Sequence, residues 1–352
     1  MAKKLWFLSV IIVSMLLAAC GGGNSESANT TETNTETANT GTGSSEETIN
    51  LKIANITQPV HSWNQSLEVF EESLQEQADG KFNLELFPGG QLGNEADMLQ
   101  QLDQGNIDMM VITTAQLSEV SESFASWLMP FIVDTHEQAY DLWMSEESMN
   151  LFDSLSSYNV KGLGYLSSGF RWYLMRDEAI KLPDDLDRKS LRITPSPAKV
   201  EYYRALNVSP TPMPLTEVYT SLQQGVIDGV DIDSESIIPE RLYETGKHLT
   251  PSNHIYWQGA ILINSELWET LTEEDQEVIN SAVTAAMNHN VEYLATSEAE
   301  NLEKLTNEPG MSLYELDREA FQPFVDAIHE NYAGKNSDIA AFLEKAAEIR
   351  GQ

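Results

Sequence analysis

A chain of 352 residues is long enough for about two domains, and its 41% hydrophobic and 21% charged residues give it a globular composition. Its 55 acidic against 20 basic residues set a formal charge of −35, which repels phosphate backbones and anionic lipid surfaces and argues against nucleic acid as a partner. A single cysteine, Cys20, excludes disulfides, thiolate metal sites and cysteine nucleophiles from everything after it.

Lys3 and Lys4 precede an apolar run, Leu5 to Leu17, that is short for a bilayer span and ends in Leu17-Ala18-Ala19-Cys20. This reads as a signal peptide over residues 1–19. Its last four residues resemble a bacterial lipobox, which implies a diacylglycerol on Cys20 as the only membrane attachment. From Gly21 to Thr48 there is no Val, Leu, Ile or aromatic residue, so residues 20–48 read as a lipidated cysteine and a tether with a span of about 30 Å.

The folded body opens with apolar runs at 51–56, 82–87 and 107–112, separated by helix-length segments at 62–79 and 94–104. Strand and helix in alternation predict a mainly parallel sheet. A second series predicts strands near 160–166, 170–175, 190–193 and 226–232, and helices near 197–206, 216–224 and 235–246. Leu99 to Asp108 is echoed by Leu222 to Asp228. In both copies a helix stops at a glycine and Ile-Asp opens an apolar strand, which is read either as a plan shared by two halves, whose strand ends can then face one cleft, or as a common helix-to-strand turn met twice. Thr272 to Thr306 lacks Gly and Pro, begins with a capping-box pattern, and predicts a helix of about 50 Å, long enough to lie across both halves.

There is no His-Glu-x-x-His, Walker loop, Gly-x-Ser-x-Gly or dinucleotide fingerprint, and Asp231 to Ser236 begins like a calcium loop but lacks its glycine and its bidentate Glu. No catalytic residue, metal site or cofactor is expected. Arginine is scarce, and two arginines are well placed: Arg192 at the end of a short strand before Ser196-Pro197, and Arg171 near the start of another. Guanidinium groups stay charged when desolvated and pair bidentately with carboxylates, so together they would clamp an acid; surface salt bridges are the alternative.

The sequence resembles the solute-binding receptors of tripartite ATP-independent periplasmic (TRAP) transporters, the C4-dicarboxylate-binding type. The resemblance runs over residues 50 to about 310 and rests on Phe87 to Gly93, Gly105 to Met109, Leu128 to Phe131, Gly169-Phe170-Arg171, Leu191-Arg192-Ile193, Pro210 to Met213 and Leu222 to Gly229. It implies an α/β, two-lobed periplasmic-binding-protein fold of class II type, with crossing strands and a long helix shared by both lobes. Lobe I is assigned to 49–168 plus 258–297 and lobe II to 169–257 plus 298–352. It further implies that Arg192 and Arg171 meet the ligand, with His61, Trp63, Glu95 and Thr113 facing the cleft. Many relatives carry Asp-Gly-Gln-Glu-Asn-Pro, whose amide meets the ligand carboxylate. This chain reads Asp228-Gly229-Val230-Asp231-Ile232-Asp233, so dicarboxylate specificity is not inherited directly, and Asp231 and Asp233 become candidates for contact with an arginine or with a ligand hydroxyl or ammonium.

The expected function is an extracytoplasmic receptor, held at the cell membrane by a lipid on Cys20, that binds a small organic acid and delivers it to integral membrane TRAP permease subunits without turnover. The receptor of an ATP-driven importer, a ligand sensor and a secreted carboxylate-dependent hydrolase are the rival readings.

Overall fold

Short apolar runs alternating with helix-length segments give parallel strands joined by crossover helices. β1 (Ile49–Ala54), α1 (Ser62–Gln77), β2 (Phe82–Phe87), α2 (Glu95–Asp103) and β3 (Met109–Thr113) follow in turn, with β2 and β3 both parallel to β1. The helices α3 (Thr114–Leu117), α4 (His136–Trp143) and α5 (Glu146–Met149) lead to β4 (Val160–Met175). Next come β5 (Ser190–Ile193), α6 (Pro197–Ala205), β6 (Ser209–Pro212), α7 (Val218–Gln224), β7 (Gly229–Asp233), α8 (Ser234–Ile237), β8 (His248–Thr250) and β9 (Tyr256–Asn264). The chain continues through α9 (Ser265–Thr270), α10 (Glu273–Thr306), β10 (Ser312–Leu313), α11 (Arg318–Lys335) and α12 (Ser337–Arg350). This computed structural model describes residues 48–351; the expected signal peptide, Cys20 and all but the last residue of the tether lie outside the described residues.

The main strand order is β2-β1-β3-β9-β4-β7-β5-β6, with β8 also against β4 and β10 against β8. The fold is a mixed α/β one with two lobes. β4 joins them, because Val160 to Phe170 pairs with β9 and Arg171 to Met175 pairs with β7. Residues of β3, β7 and β9 are buried throughout, as expected of strands covered on both faces.

The shared plan of the two halves is visible atom by atom. Gly105 and Gly225 both adopt positive φ, +71° and +74°, where the helix stops. Asp108 then accepts a hydrogen bond from Lys52 N at 2.8 Å, and Asp228 accepts one from Ser190 N at 2.7 Å. Five residues on, Thr113 caps α3 through Gln116 N and Asp233 caps α8 through Ser236 N. Each half therefore ends a buried strand on a polar side chain at the mouth.

Three expectations are corrected. The strands expected at 160–166 and 170–175 are one, because a bulge with Gly169 at φ +80° lets pairing with β9 continue across the gap; Arg171 lies deep in β4, not near a strand start. The helix expected at 235–246 stops at Ile237: Ile238 keeps helical geometry at φ −75° and ψ −55°, but Pro239 has no N–H to donate to the ladder. The strand expected from Val226 begins at Gly229, after the Asp228 turn.

α10 packs along α1, β4, α4 and α8 and is 34 residues long, about 51 Å. Its side chains hold the bulge of β4. Asn290 accepts from Ser167 N at 2.7 Å and donates to Ser167 O at 3.1 Å, while Glu298 accepts from Phe170 N at 3.0 Å. These bonds satisfy backbone groups that the bulge removes from the ladder. α12, expected in the second lobe, packs on α4, α5 and residues 122–128, all expected in the first, with Phe342 edge-on to Trp127 at 4.7 Å.

Candidate functional site

A cavity of about 20 Å³ lies where the ends of β3, β5 and β7 meet the middle of β4. That is room for about one water and far less than an organic guest needs, so the walls must separate to admit one. Arg171, Arg192, Trp63, Glu95, Thr113 and Asp233, all expected from sequence, line it; the expected His61 and Asp231 are buried behind the wall. A larger depression, about 480 Å³ between Phe152, Lys161 and Trp268, is an open groove away from these charges.

Alternation along β4 and β7 places Arg171 on the same face as Asp231 and Asp233, with Arg171 and Asp233 directly cross-strand. Arg171 Nε donates to Asp231 Oδ1 at 2.5 Å, Nη1 to Asp233 Oδ2 at 2.8 Å, and Nη2 to the Asp231 carbonyl. Its guanidinium also lies 4.1 Å from the Trp257 ring centroid. Three of five N–H groups are therefore committed, and the charge is matched by the two acids.

Arg192 is held differently. β5 carries it to the mouth, Ser196 caps α6 and Pro197 opens that helix, as the sequence implied. Nε and Nη2 both donate to the Met213 carbonyl, at 3.1 and 2.9 Å. Among the described residues Arg192 has no ion pair, and it is 2% exposed. Burial and the neighbouring Arg171 push its pKa down to about 9 against the pull of Asp231, Asp233 and Glu95, so it remains cationic at neutral pH.

Lys199 was not anticipated. It is buried on α6, its ammonium 2.6 Å from Asp231 Oδ2 as an ion pair with poor hydrogen-bond alignment, and 4.5 Å from the Trp257 centroid. Burial brings its pKa down to about 7 even though Asp231 opposes this. Burial alone would raise Asp231, but Lys199 and Arg171 outweigh it and hold the carboxyl well below the usual range. Tyr203 also donates to Asp231 Oδ2 at 2.6 Å.

On the facing wall, Glu95 opens α2. Its Oε1 accepts from Thr113 N at 2.6 Å and its Oε2 from Thr113 Oγ1 at 3.1 Å. Burial pushes its pKa up to about 7, against the lowering effect of Thr113 and Arg192. His61 caps α1 by accepting from Trp63 N at 3.1 Å through Nδ1, which leaves the proton on Nε2, 4.0 Å from Asp233 Oδ1. Burial lowers its pKa to about 4, against Asp233, so the ring is neutral at neutral pH. Trp63 Nε1 is a buried donor without a hydrogen-bond partner among the described residues.

Sequence reasoning missed Trp257, Ser168, Thr194 and Ser236 on the cavity wall as well as Lys199 behind it. Thr194 was within reach, since it lies two residues from Arg192 and such residues share a face of an extended chain. Lys199 was not, because a lysine in the first turn of a helix normally faces solvent.

Two lobes sharing a strand, with a charged cavity at the strand ends, define a two-lobed solute-binding protein. More narrowly, residues 53–337 match the family described as bacterial extracellular solute-binding protein, family 7, the DctP family, and the chain belongs to it, among TRAP solute-binding proteins. The C4-dicarboxylate-binding protein DctB of Bacillus subtilis is 24% identical, covering 75% of this chain and 76% of DctB. The ectoine-binding periplasmic protein TeaA of Halomonas elongata is 28% identical, covering 68% of this chain and 70% of TeaA. A TRAP solute-binding protein of Anaerococcus prevotii, solved with bound D-glucuronate, superposes with TM-score 0.82 at 23% identity, covering 86% of this chain and 98% of that one.

Proposed function

We propose that this chain is an extracytoplasmic receptor that holds one small organic acid between its lobes and delivers it, chemically unchanged, to the membrane subunits of a TRAP-type secondary transporter. The observation that carries this reading is Arg192: a buried guanidinium on the cavity wall, oriented by the Met213 carbonyl and lacking a carboxylate of its own. A guest carboxylate supplies that partner, while Arg171, already matched by Asp231 and Asp233, offers its remaining N–H groups. The names of related proteins agree with an organic-acid guest, since solved relatives hold glucuronate, galacturonate and erythronate.

The proposed lobes are 49–168 plus 258–297 and 169–257 plus most of 298–352, with α12 crossing back to the first. They meet at the rim through Gln58 Nε2 and Glu240 Oε1, 3.1 Å apart, and Ser118 Oγ and Ser196 Oγ, 2.8 Å apart. A guest touching both lobes favours the closed form because only that form offers both sets of contacts. The proposed anchor is a lipid on Cys20. In the host, Cys20→Ser moves the protein to the soluble fraction; retention at the membrane rejects the anchor.

The decisive experiment is titration calorimetry of the full chain in mild detergent against a panel of sugar acids, hydroxy acids and dicarboxylates. At least one acid binds and is recovered intact, and Arg192→Ala weakens it by at least tenfold. Unchanged affinity in that variant, or steady conversion of the acid, overturns the reading.

A further inference from the structure

We propose that Glu95 and Asp233 set the charge of the guest, admitting monoanionic hydroxy acids and excluding dicarboxylates, an inference that rests on the organic-acid reading above. Both side chains line the cavity and are at least nine-tenths buried, at 8% and 1% exposure. Both present acceptor oxygens. Glu95 receives two hydrogen bonds from Thr113, and Asp233 receives Ser236 N–H at Oδ1 and Arg171 Nη1 at Oδ2. An ionised carboxyl has about four lone-pair sites, so each keeps acceptor capacity that a guest hydroxyl satisfies; a second guest carboxylate beside Glu95 meets its charge or must bring a further proton to neutralise it.

The charges around the cavity point the same way. Arg171 is ion-paired with Asp231 and Asp233 and Lys199 with Asp231, while Arg192 has no ion pair among the described residues. His61, held neutral by burial, adds no charge, and Glu235 and Glu240 beyond the wall add only negative potential when ionised. One guest carboxylate matches Arg192. A second would enter a space nearly free of water with no cation to receive it, where an uncompensated charge is strongly disfavoured. The unpartnered Trp63 Nε1 offers a neutral donor, suited to a hydroxyl or carboxylate oxygen but supplying no balancing charge.

The test uses matched pairs that differ only in a terminal CH2OH or carboxylate: D-gluconate with D-glucarate, D-galactonate with galactarate, and D-erythronate with meso-tartrate, titrated into the full chain at pH 7.5. The expected result is that the monoacid of at least one pair binds about 100-fold or more tighter than its diacid. Equal or tighter binding of diacids overturns the charge proposal and leaves the organic-acid reading standing, whereas failure of every mono- and dicarboxylate removes both. In Glu95→Gln the preference narrows by at least tenfold, and Asp233→Asn, which keeps the helix cap, is the second variant should the first not fold. An unchanged preference in a variant that still binds the monoacid overturns the assignment.

Discussion

Glu95 and Arg192 line the same cavity and feel each other's charge, yet no ion pair joins them. Each is left short of a partner in its charged form. Glu95 is raised to about 7 by burial, so near neutrality it is poised between carboxyl and carboxylate, with Glu119 also disfavouring the charged form. A guest carboxylate entering beside Arg192 repels the ionised form further. Binding is therefore predicted to take up a proton, and affinity for a monoanion to fall as pH rises through about 7. Lys199, lowered to about 7 by burial, acts in the same direction because it loses its charge over that range. Calorimetry at pH 6 and pH 8 in buffers of different ionisation enthalpy reads the uptake directly, and Glu95→Gln reduces it. Zero uptake in the wild type rejects the coupling.

Folding stability carries a second signature of Glu95. Its pKa in the folded state, about 7, lies above the ordinary 4.5, so the folded state binds this proton more tightly. Relative to a neutral side chain, the contribution is fully present below about 4.5 and is lost as pH rises through about 7, amounting to as much as about 3 kcal/mol. His61, lowered from 6.5 to about 4, has the opposite sign and masks part of the effect between about 4 and 6.5. The Glu95→Gln protein is therefore expected to gain stability over wild type as pH goes from 5 to 8, read from paired urea melts. A constant difference across that range contradicts the ionisation assigned to Glu95.

Lys199 and Asp231 provide a test of the charged wall itself. Both are fully buried, so Lys199→Met leaves Asp231 with one cation fewer in a low-dielectric site. Removing one member of a buried pair typically costs about 3–5 kcal/mol. Arg171 and Tyr203 continue to hold Asp231, which places the expected loss toward the lower end of that range. The double variant Lys199→Met, Asp231→Asn should recover at least about 1 kcal/mol relative to additivity, measured by a denaturation cycle. Strict additivity would mean that the 2.6 Å contact contributes nothing.

The sequence made the strand-helix alternation, the long helix and the glycine stops legible because each rests on local chemistry: apolar periodicity, a capping box, a left-handed φ. It also pointed to Arg192, because a scarce arginine next to Ser196-Pro197 marks a strand-to-helix junction. Two kinds of feature escaped it. The continuity of β4 depends on cross-strand bonding to β9 around Gly169, and a glycine after two serines reads equally well as the end of a strand. The burial of Lys199 depends on Asp231, 32 residues away in sequence, and on the face of Trp257, so nothing in its own neighbourhood marks it.

The bulge in β4 is the last point where a single substitution separates structure from function. Asn290 is fully buried on α10 and meets both backbone groups of Ser167, but Ser62 Oγ also donates to the Ser167 carbonyl at 3.0 Å. Asn290→Ala therefore leaves one group, the Ser167 N–H, without its partner in a buried strand shared by both lobes. An unsatisfied buried donor costs about 1–3 kcal/mol, and the exposed Glu277→Ala on the same helix should change stability by no more than about 0.5 kcal/mol. Urea melts compare the two, and hydrogen exchange locates the effect: the Ser167 amide should exchange faster in Asn290→Ala by more than the global loss of stability explains. If protection at Ser167 falls only in step with global stability, the side chain contributes general packing and α10 does not specifically hold the crossing strand.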